Sequence, residues 1–122
     1  MIRTAAQADR LDATAHAVAD PTRRRILTLV RDREVSAGEL AVQFAHLSRP
    51  AVSQHLRVLR SAQLVSVRNE GPRRMYRGQP EGLTEIRTFI DEMWTDRLAH
   101  LKRAVENSER PAHPRPKKKA TP

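Results

Sequence analysis

The segment Ser48-Arg49-Pro50-Ala51-Val52-Ser53-Gln54-His55-Leu56-Arg57-Val58-Leu59-Arg60-Ser61-Ala62 decides how this chain is read. Ser48 is a helix-capping residue, since its hydroxyl accepts from an amide that the first turn leaves unpaired. Pro50 falls in that first turn, where a missing N–H costs nothing. At about 100° per residue, Val52, Leu56 and Leu59 gather on one side, and Arg49, Ser53, Gln54 and Arg57 lie on the others. The pattern predicts a helix from Ser48 to about Ala62 that is anchored by an apolar stripe and presents polar side chains outward.

The flanking sequence supplies the elements such a helix needs. Ser36-Ala37-Gly38-Glu39 has the form of a capping box, in which hydroxyl and carboxylate each satisfy an orphan amide. It predicts a short helix to about Ala45 with Leu40 and Phe44 inward. With a turn at His46-Leu47, the two helices form a helix-turn-helix. Upstream, Asp20-Pro21-Thr22 starts a helix that runs to about Asp32, with Ile26, Leu27 and Val30 inward and Arg23, Arg24 and Arg25 in its first turn. A first helix over Thr4–Val18 is expected to pack through Leu11, Ala15 and Val18.

Downstream, Leu64–Arg68 alternates apolar Val65 and Val67 with polar neighbours, Arg74–Gly78 reads as its partner strand, and Glu70-Gly71-Pro72 is the turn. Leu83, Ile86, Phe89, Ile90, Met93, Trp94, Leu98, Leu101 and Val105 then mark one face of a helix from about Pro80 to Glu106, longer than a small core can cover. Residues 108–122 lose all periodicity and are expected to be a disordered basic tail. The predicted fold is thus mainly α with a two-stranded β-wing: four helices, a hairpin and a final helix, all within residues 1–107.

The chain of 122 residues has a net charge of +9, which suits a polyanionic partner. The charge is concentrated. Residues 48–77 carry +6 and residues 108–122 carry +4, while residues 78–107 carry −2. There is no Cys, which excludes disulfides and thiolate metal sites. Residues 1–10 lack the apolar run of a secretory signal and no segment reads as a membrane span, so a cytoplasmic location without a membrane partner is expected. An enzyme is poorly supported, because no nucleophile is paired with a base, no carboxylates are closely paired, and Gly occurs only at 38, 71, 78 and 82.

The outward set of the Ser48–Ala62 helix suits duplex DNA. Arg can bind guanine bidentately, Gln can bind adenine, and Ser is short enough to reach a phosphate or a base edge. Such a helix enters the major groove by its N-terminal half. Arg73 and Arg74, beside the hairpin turn, are placed to enter the adjacent minor groove.

The stretches Ala19-Asp20-Pro21-Thr22-Arg23-Arg24-Arg25-Ile26-Leu27, Ser48–Arg60 and Leu64-Val65 resemble, in order and spacing, the signature of the ArsR (ArsR/SmtB) winged helix-turn-helix repressors. The resemblance spans roughly residues 14 to 106. It implies an α-helical domain with a β-wing, dimerised through its first and last helices and bound to a palindromic operator in double-stranded DNA, often that of its own operon. It also implies that Ser53, Gln54 and Arg57 occupy base-reading positions. Arg49, Ser53, Gln54, Arg57, Arg60, Arg73 and Arg74 are accordingly the expected DNA-binding residues. Leu11, Phe89, Ile90, Met93, Trp94, Leu98 and Leu101 are the expected dimerisation residues.

The departures from the family bear on regulation. Where its thiolate metal sensors have Glu-Leu-Cys-Val-Cys, this chain has Glu39-Leu40-Ala41-Val42-Gln43. Of the family's metal site on the last helix only Asp91 and His100 remain, short of a full coordination set. No metal and no cofactor is therefore expected. The remaining signal is an unknown small-molecule effector, for which the surroundings of Trp94 are the marked place, or none at all.

Plainer readings stand beside these. His55, at the edge of the apolar stripe, reads as a hydrogen-bonded packing histidine, and Tyr76 as packing the hairpin on the core. Trp94 with Phe89, Ile90 and Met93 reads as dimer core before ligand pocket. The tail cations Arg115, Lys117, Lys118 and Lys119 read as solubilising. The same charge also fits a non-specific nucleic-acid-binding architectural protein, whose affinity would fall with salt for every duplex alike, or an adaptor that uses the last helix to hold a protein partner.

Overall fold

The computed structural model of the chain describes residues 3–108. Its elements are α1 (Ala5–Ala19), α2 (Pro21–Val30), β1 (Val35–Ser36), α3 (Ala37–Gln43), α4 (Arg49–Ser61), β2 (Val65–Glu70), β3 (Arg73–Gly78), a 3₁₀ turn (Pro80–Leu83) and α5 (Thr84–Ser108). The chain divides between Arg87 and Thr88, and the two parts are described separately. No helix among the described residues is long and apolar enough to cross a membrane.

Each of the first four helices begins on a side-chain cap. Thr4 and Gln7 form a capping box at α1, and Asp20 accepts from the Arg23 amide at α2. Ser36 and Glu39 form the predicted box at α3, and Ser48 accepts from the Ala51 amide at α4. Helix α4 ends in a Schellman pair, with the Gln63 amide donating to the Arg60 carbonyl and the Leu64 amide to the Leu59 carbonyl, both at 3.0 Å. Gln63 takes the left-handed conformation this requires, φ 61°. Leu59 and Leu64, which flank the motif, are both buried.

The core of the first part gathers around Ile26, Leu40, Phe44, Val52, Leu56 and Leu59, with Leu64, Val65 and Tyr76 closing it from the sheet side. The inward residues predicted for α2, α3 and α4 lie there or packed against it. Helix α1 differs. It buries Thr14 and Ala17, while Ala15 is exposed and Leu11 half-buried. Thr14 tolerates burial because its one hydroxyl proton lies within reach of both the Arg10 and Gly82 carbonyls and is shared between them. The inward face is thus built from small residues that an apolar count does not mark. At Gly82 an added Cβ would lie 2.2 Å from the Gln63 carbonyl oxygen, so only glycine fits this approach of the 3₁₀ turn to the end of α4.

The sheet has three antiparallel strands in the order β1-β3-β2. The predicted hairpin is β2 and β3, paired from Val65↔Gly78 to Glu70↔Arg73. Its turn is therefore only Gly71-Pro72, with Gly71 at φ 59°, the positive φ that a tight hairpin needs at its first turn position. The addition is β1, two residues paired as Val35↔Tyr76 and Ser36↔Met75. Helices α2 and α3 also end earlier than predicted, at Val30 and Gln43, and α5 begins later, at Thr84, because residues 80–83 form the 3₁₀ turn. Ser108, expected to open the tail, closes α5. The rest of the expected tail, with Arg115 and Lys117 to Lys119, lies outside the described residues.

Beyond Thr88, α5 carries a continuous apolar stripe in which Phe89, Ile90, Met93, Trp94, Leu98, Leu101 and Val105 are 37% to 61% exposed.

Candidate nucleic-acid interface

Helix α4 is set in place by three contacts along its length. Val52, Leu56 and Leu59 bury one side, Ser48 caps its start, and His55 anchors its flank to a buried arginine. That arginine is Arg23, of which only 8% is exposed. Its Nε donates to the Ala17 carbonyl at 2.8 Å and its Nη2 to the His16 carbonyl at 2.9 Å, so it satisfies the orphan carbonyls at the end of α1. Its Nη1 lies 3.2 Å from His55 Nδ1. Because a guanidinium only donates, that nitrogen accepts and the ring proton sits on Nε2. His55 is therefore a packing histidine with a hydrogen bond. In the sequence Arg23 reads with Arg24 and Arg25 as a basic cluster, with no mark of this role. Three adjacent arginines give no sign that one of them turns inward.

Asp20 completes the junction. Its carboxylate caps α2 and lies 3.9 Å from His55 Nδ1. The Arg23 amide, followed by the nearby charge of Arg23, holds its pKa below the ordinary 3.8 against the opposing effect of burial. A carboxylate with a depressed folded pKa stabilises the fold above its unfolded pKa and loses that contribution as pH falls through the folded value. Asp20→Ala is expected to cost about 1 kcal/mol at neutral pH. In thermal unfolding the gap to the wild type should close as pH drops below the ordinary carboxylate range, and a gap constant down to strong acid would contradict the assignment.

On the outer side of α4, Arg49, Ser53, Gln54, Arg57 and Arg60 are all exposed. Arg57 Nη1 donates to Gln54 Oε1, so these two side chains form a linked pair one helical turn apart. Arg73 and Arg74 are exposed on β3 but differ in setting. Arg73 lies 3.7 Å from the Glu70 carboxylate across the turn. Arg74 instead sits with its guanidinium 5.9 Å from the centre of the Tyr76 ring, and Tyr76 is buried as predicted. Arg57, Arg60 and Arg74 meet at a recess of about 230 Å³ between α4 and β3, lined also by Ser53, Leu56 and Tyr76. Arg49 and Arg73 stand apart from it.

One wing cation is already paired with carboxylates. Arg68 of β2 makes a bidentate pair with Glu34 at 2.6 and 2.7 Å and also touches Glu70. The hydrogen bond from Arg68 holds the Glu34 carboxyl below its usual range, and the Glu34 bond holds the guanidinium above its own. The pair ties the hairpin to the segment between α2 and β1, a contact across 34 positions that charge counting cannot see. Elsewhere, an open hollow of about 380 Å³ lies beside α2, with Leu27, Leu64, Pro80 and Leu83 on its walls. Among the described residues no three His, Asp or Glu side chains gather as a metal site needs. His100 accepts instead from Arg103 at 2.9 Å.

Comparison with known proteins agrees with this architecture. Residues 20–67 match the family described as bacterial regulatory protein, arsR family. The chain is 42% identical over 96 residues to the HTH-type transcriptional regulator Rv2034 of Mycobacterium tuberculosis, covering 79% of this chain and 89% of that protein. It is 40% identical over 55 residues to the transcriptional repressor SdpR of Bacillus subtilis, 45% of this chain and 60% of that one. Among solved structures, a possible transcriptional regulator for arsenical resistance superposes with a TM-score of 0.58 at 43% identity, over 73% of this chain and 92% of that one. From the helix-turn-helix, the wing and these matches, the chain belongs to the ArsR family of bacterial regulatory proteins and is a DNA-binding transcriptional regulator rather than an enzyme.

Proposed function

We propose that the protein is a homodimeric repressor that binds a palindromic operator, with α4 of each protomer reading one half-site in the major groove. The observation that carries this reading is the division of α4, whose apolar side is buried while Arg49, Ser53, Gln54, Arg57 and Arg60 all face outward. Gln54 and Arg57, linked side by side, offer adenine and guanine readers at adjacent base steps. The exposed stripe of α5 supports a two-fold dimer, which in turn calls for a symmetric site. The similarity to a protein named a transcriptional repressor supports repression as the outcome.

Regulation is proposed to be independent of metal, since Ala41 and Gln43 stand where the family's metal sensors have cysteines. The protein acts in the cytoplasm, and residues 1–107 serve as one DNA-binding and dimerisation domain. The basic residues beyond Ser108 are read first as solubilising and second as a source of affinity shared by all sequences.

Selection of bound duplexes from a random pool tests the reading. A consensus with two-fold symmetry is expected, unchanged by Zn²⁺, and affinity without sequence preference would refute it. Arg57→Ala is expected to cost about 1 to 3 kcal/mol of operator binding and to relax preference at one base pair per half-site. Titration of the selected duplex and of single-base variants measures both.

A further inference from the structure

We infer that the recess between α4 and β3 seats a single phosphodiester of the duplex backbone, held jointly by Arg60 of α4 and Arg74 of the wing. This rests on the proposal that α4 faces DNA and assigns what that proposal leaves open, namely how helix and wing are fixed relative to each other on the duplex. The charge pattern points there first. Of the other cations of the hairpin, Arg68 and Arg73 are matched by Glu34 and Glu70, and Arg77 does not line the recess. Among the described residues neither Arg60 nor Arg74 lies within ion-pair distance of a carboxylate.

Geometry separates these two from the base-reading set. Alternation along β3 puts Arg74 and Tyr76 on the same face of the strand, and the guanidinium lies over the Tyr76 ring. That cation–π contact holds Arg74 at the recess instead of at the hairpin tip. Arg57 also lines the recess but is tied back to Gln54, whereas Arg60, three residues further along the helix, lines it together with Arg74. Three guanidiniums, of Arg57, Arg60 and Arg74, line one recess and repel one another until an anion sits among them, and a phosphate matches their planar forks. A volume of about 230 Å³ has room for one phosphate group. A phosphate carries no base identity, so Arg60 and Arg74 should set affinity and the angle between helix and wing, leaving sequence preference to Gln54 and Arg57.

The salt dependence of duplex binding counts phosphates directly. We would measure binding of the full chain to a duplex selected from a random pool and to a scrambled duplex, at several salt concentrations, for the wild type, Arg60→Gln, Arg74→Gln and the double variant. If both arginines hold one phosphate, the double variant loses about 0.9 from the slope of log K against log salt, and each single variant loses most of that. The ratio of affinities for the two duplexes should stay at the wild-type value.

A loss of about 1.8 would mean two separate phosphates, and no loss would mean none; either overturns the inference. A changed preference would make these residues base readers, which overturns the inference while leaving the DNA-binding reading intact. Failure of the wild type to prefer the selected duplex would instead strike at that reading. Inorganic phosphate added to the DNA-free protein, followed through the backbone amides of residues 53–60 and 74–76, separates a diester seat from a site for a free anion. Saturation at micromolar phosphate would assign the recess to a free anion and overturn the inference. Its absence, with the slope result, upholds it. Because Arg60 and Arg74 are exposed, unfolding temperatures of the variants should match the wild type, which keeps a binding loss interpretable.

Discussion

Trp94→Asp combined with Leu98→Asp is expected to convert the protein from a dimer to a monomer in sedimentation and to lower its affinity for a two-half-site duplex by about a thousandfold. The two positions are four apart on α5 and share the exposed stripe that runs from Phe89 to Val105. An apolar stripe of this length is rarely left in water, and two carboxylates within it would have to be desolvated for the helices to pair. The thousandfold figure reflects lost avidity. Once the protomers separate, the second half-site is no longer presented at high effective concentration. Affinity for an isolated half-site should barely change, since α4 lies in the other part of the chain. A variant that stays dimeric would exclude this stripe as the interface.

Arg23→Ala is expected to destabilise the fold by about 3 kcal/mol, a fall in unfolding temperature of about 15 °C. The mutation removes three hydrogen bonds from a charged, buried side chain and strands the carbonyls of His16 and Ala17 at the end of α1. Hydrogen bonds to charged groups are worth more than neutral ones, and a buried acceptor left without a donor carries its full desolvation cost. Arg23→Lys should recover only part of the loss, because one ammonium on a flexible stem cannot reach two carbonyls and an imidazole with the geometry of a planar fork. A loss below about 1 kcal/mol would place Arg23 among ordinary surface ion pairs. The consequence reaches the interface, since His55 lies on α4, and a loosened junction should weaken binding to every duplex while leaving preference intact.

The parts of this fold that were legible in the sequence are those whose signals are local. Ser48, Pro50 and the spacing of Val52, Leu56 and Leu59 define α4, and the Ser36–Glu39 box defines the start of α3. Gly71 marks the hairpin because a positive φ is cheap only for glycine. The exposed face of α4 follows from the same periodicity, which is why Arg49, Ser53, Gln54, Arg57 and Arg60 emerge together on the outside.

What escaped the sequence depends on partners far along the chain. Strand β1 is two residues long and exists only because β3 pairs with it, so no alternation announces it. The inward face of α1 rests on Thr14, whose hydroxyl finds an acceptor 68 positions away at Gly82. Arg68 is held by Glu34, 34 positions away, and the Arg74 guanidinium lies beside the Tyr76 ring, contacts that no local pattern announces.

The central claim is that the outer face of α4 enters the major groove of the duplex. The chain has no Cys, so Gln54→Cys offers a unique thiol on that face for an iron chelate that generates hydroxyl radicals. With the selected duplex bound, the expected result is strand scission inside each half-site, symmetric about the centre of the palindrome. Scission confined to the flanks, or none while the duplex remains bound, would show that α4 is not the reading helix.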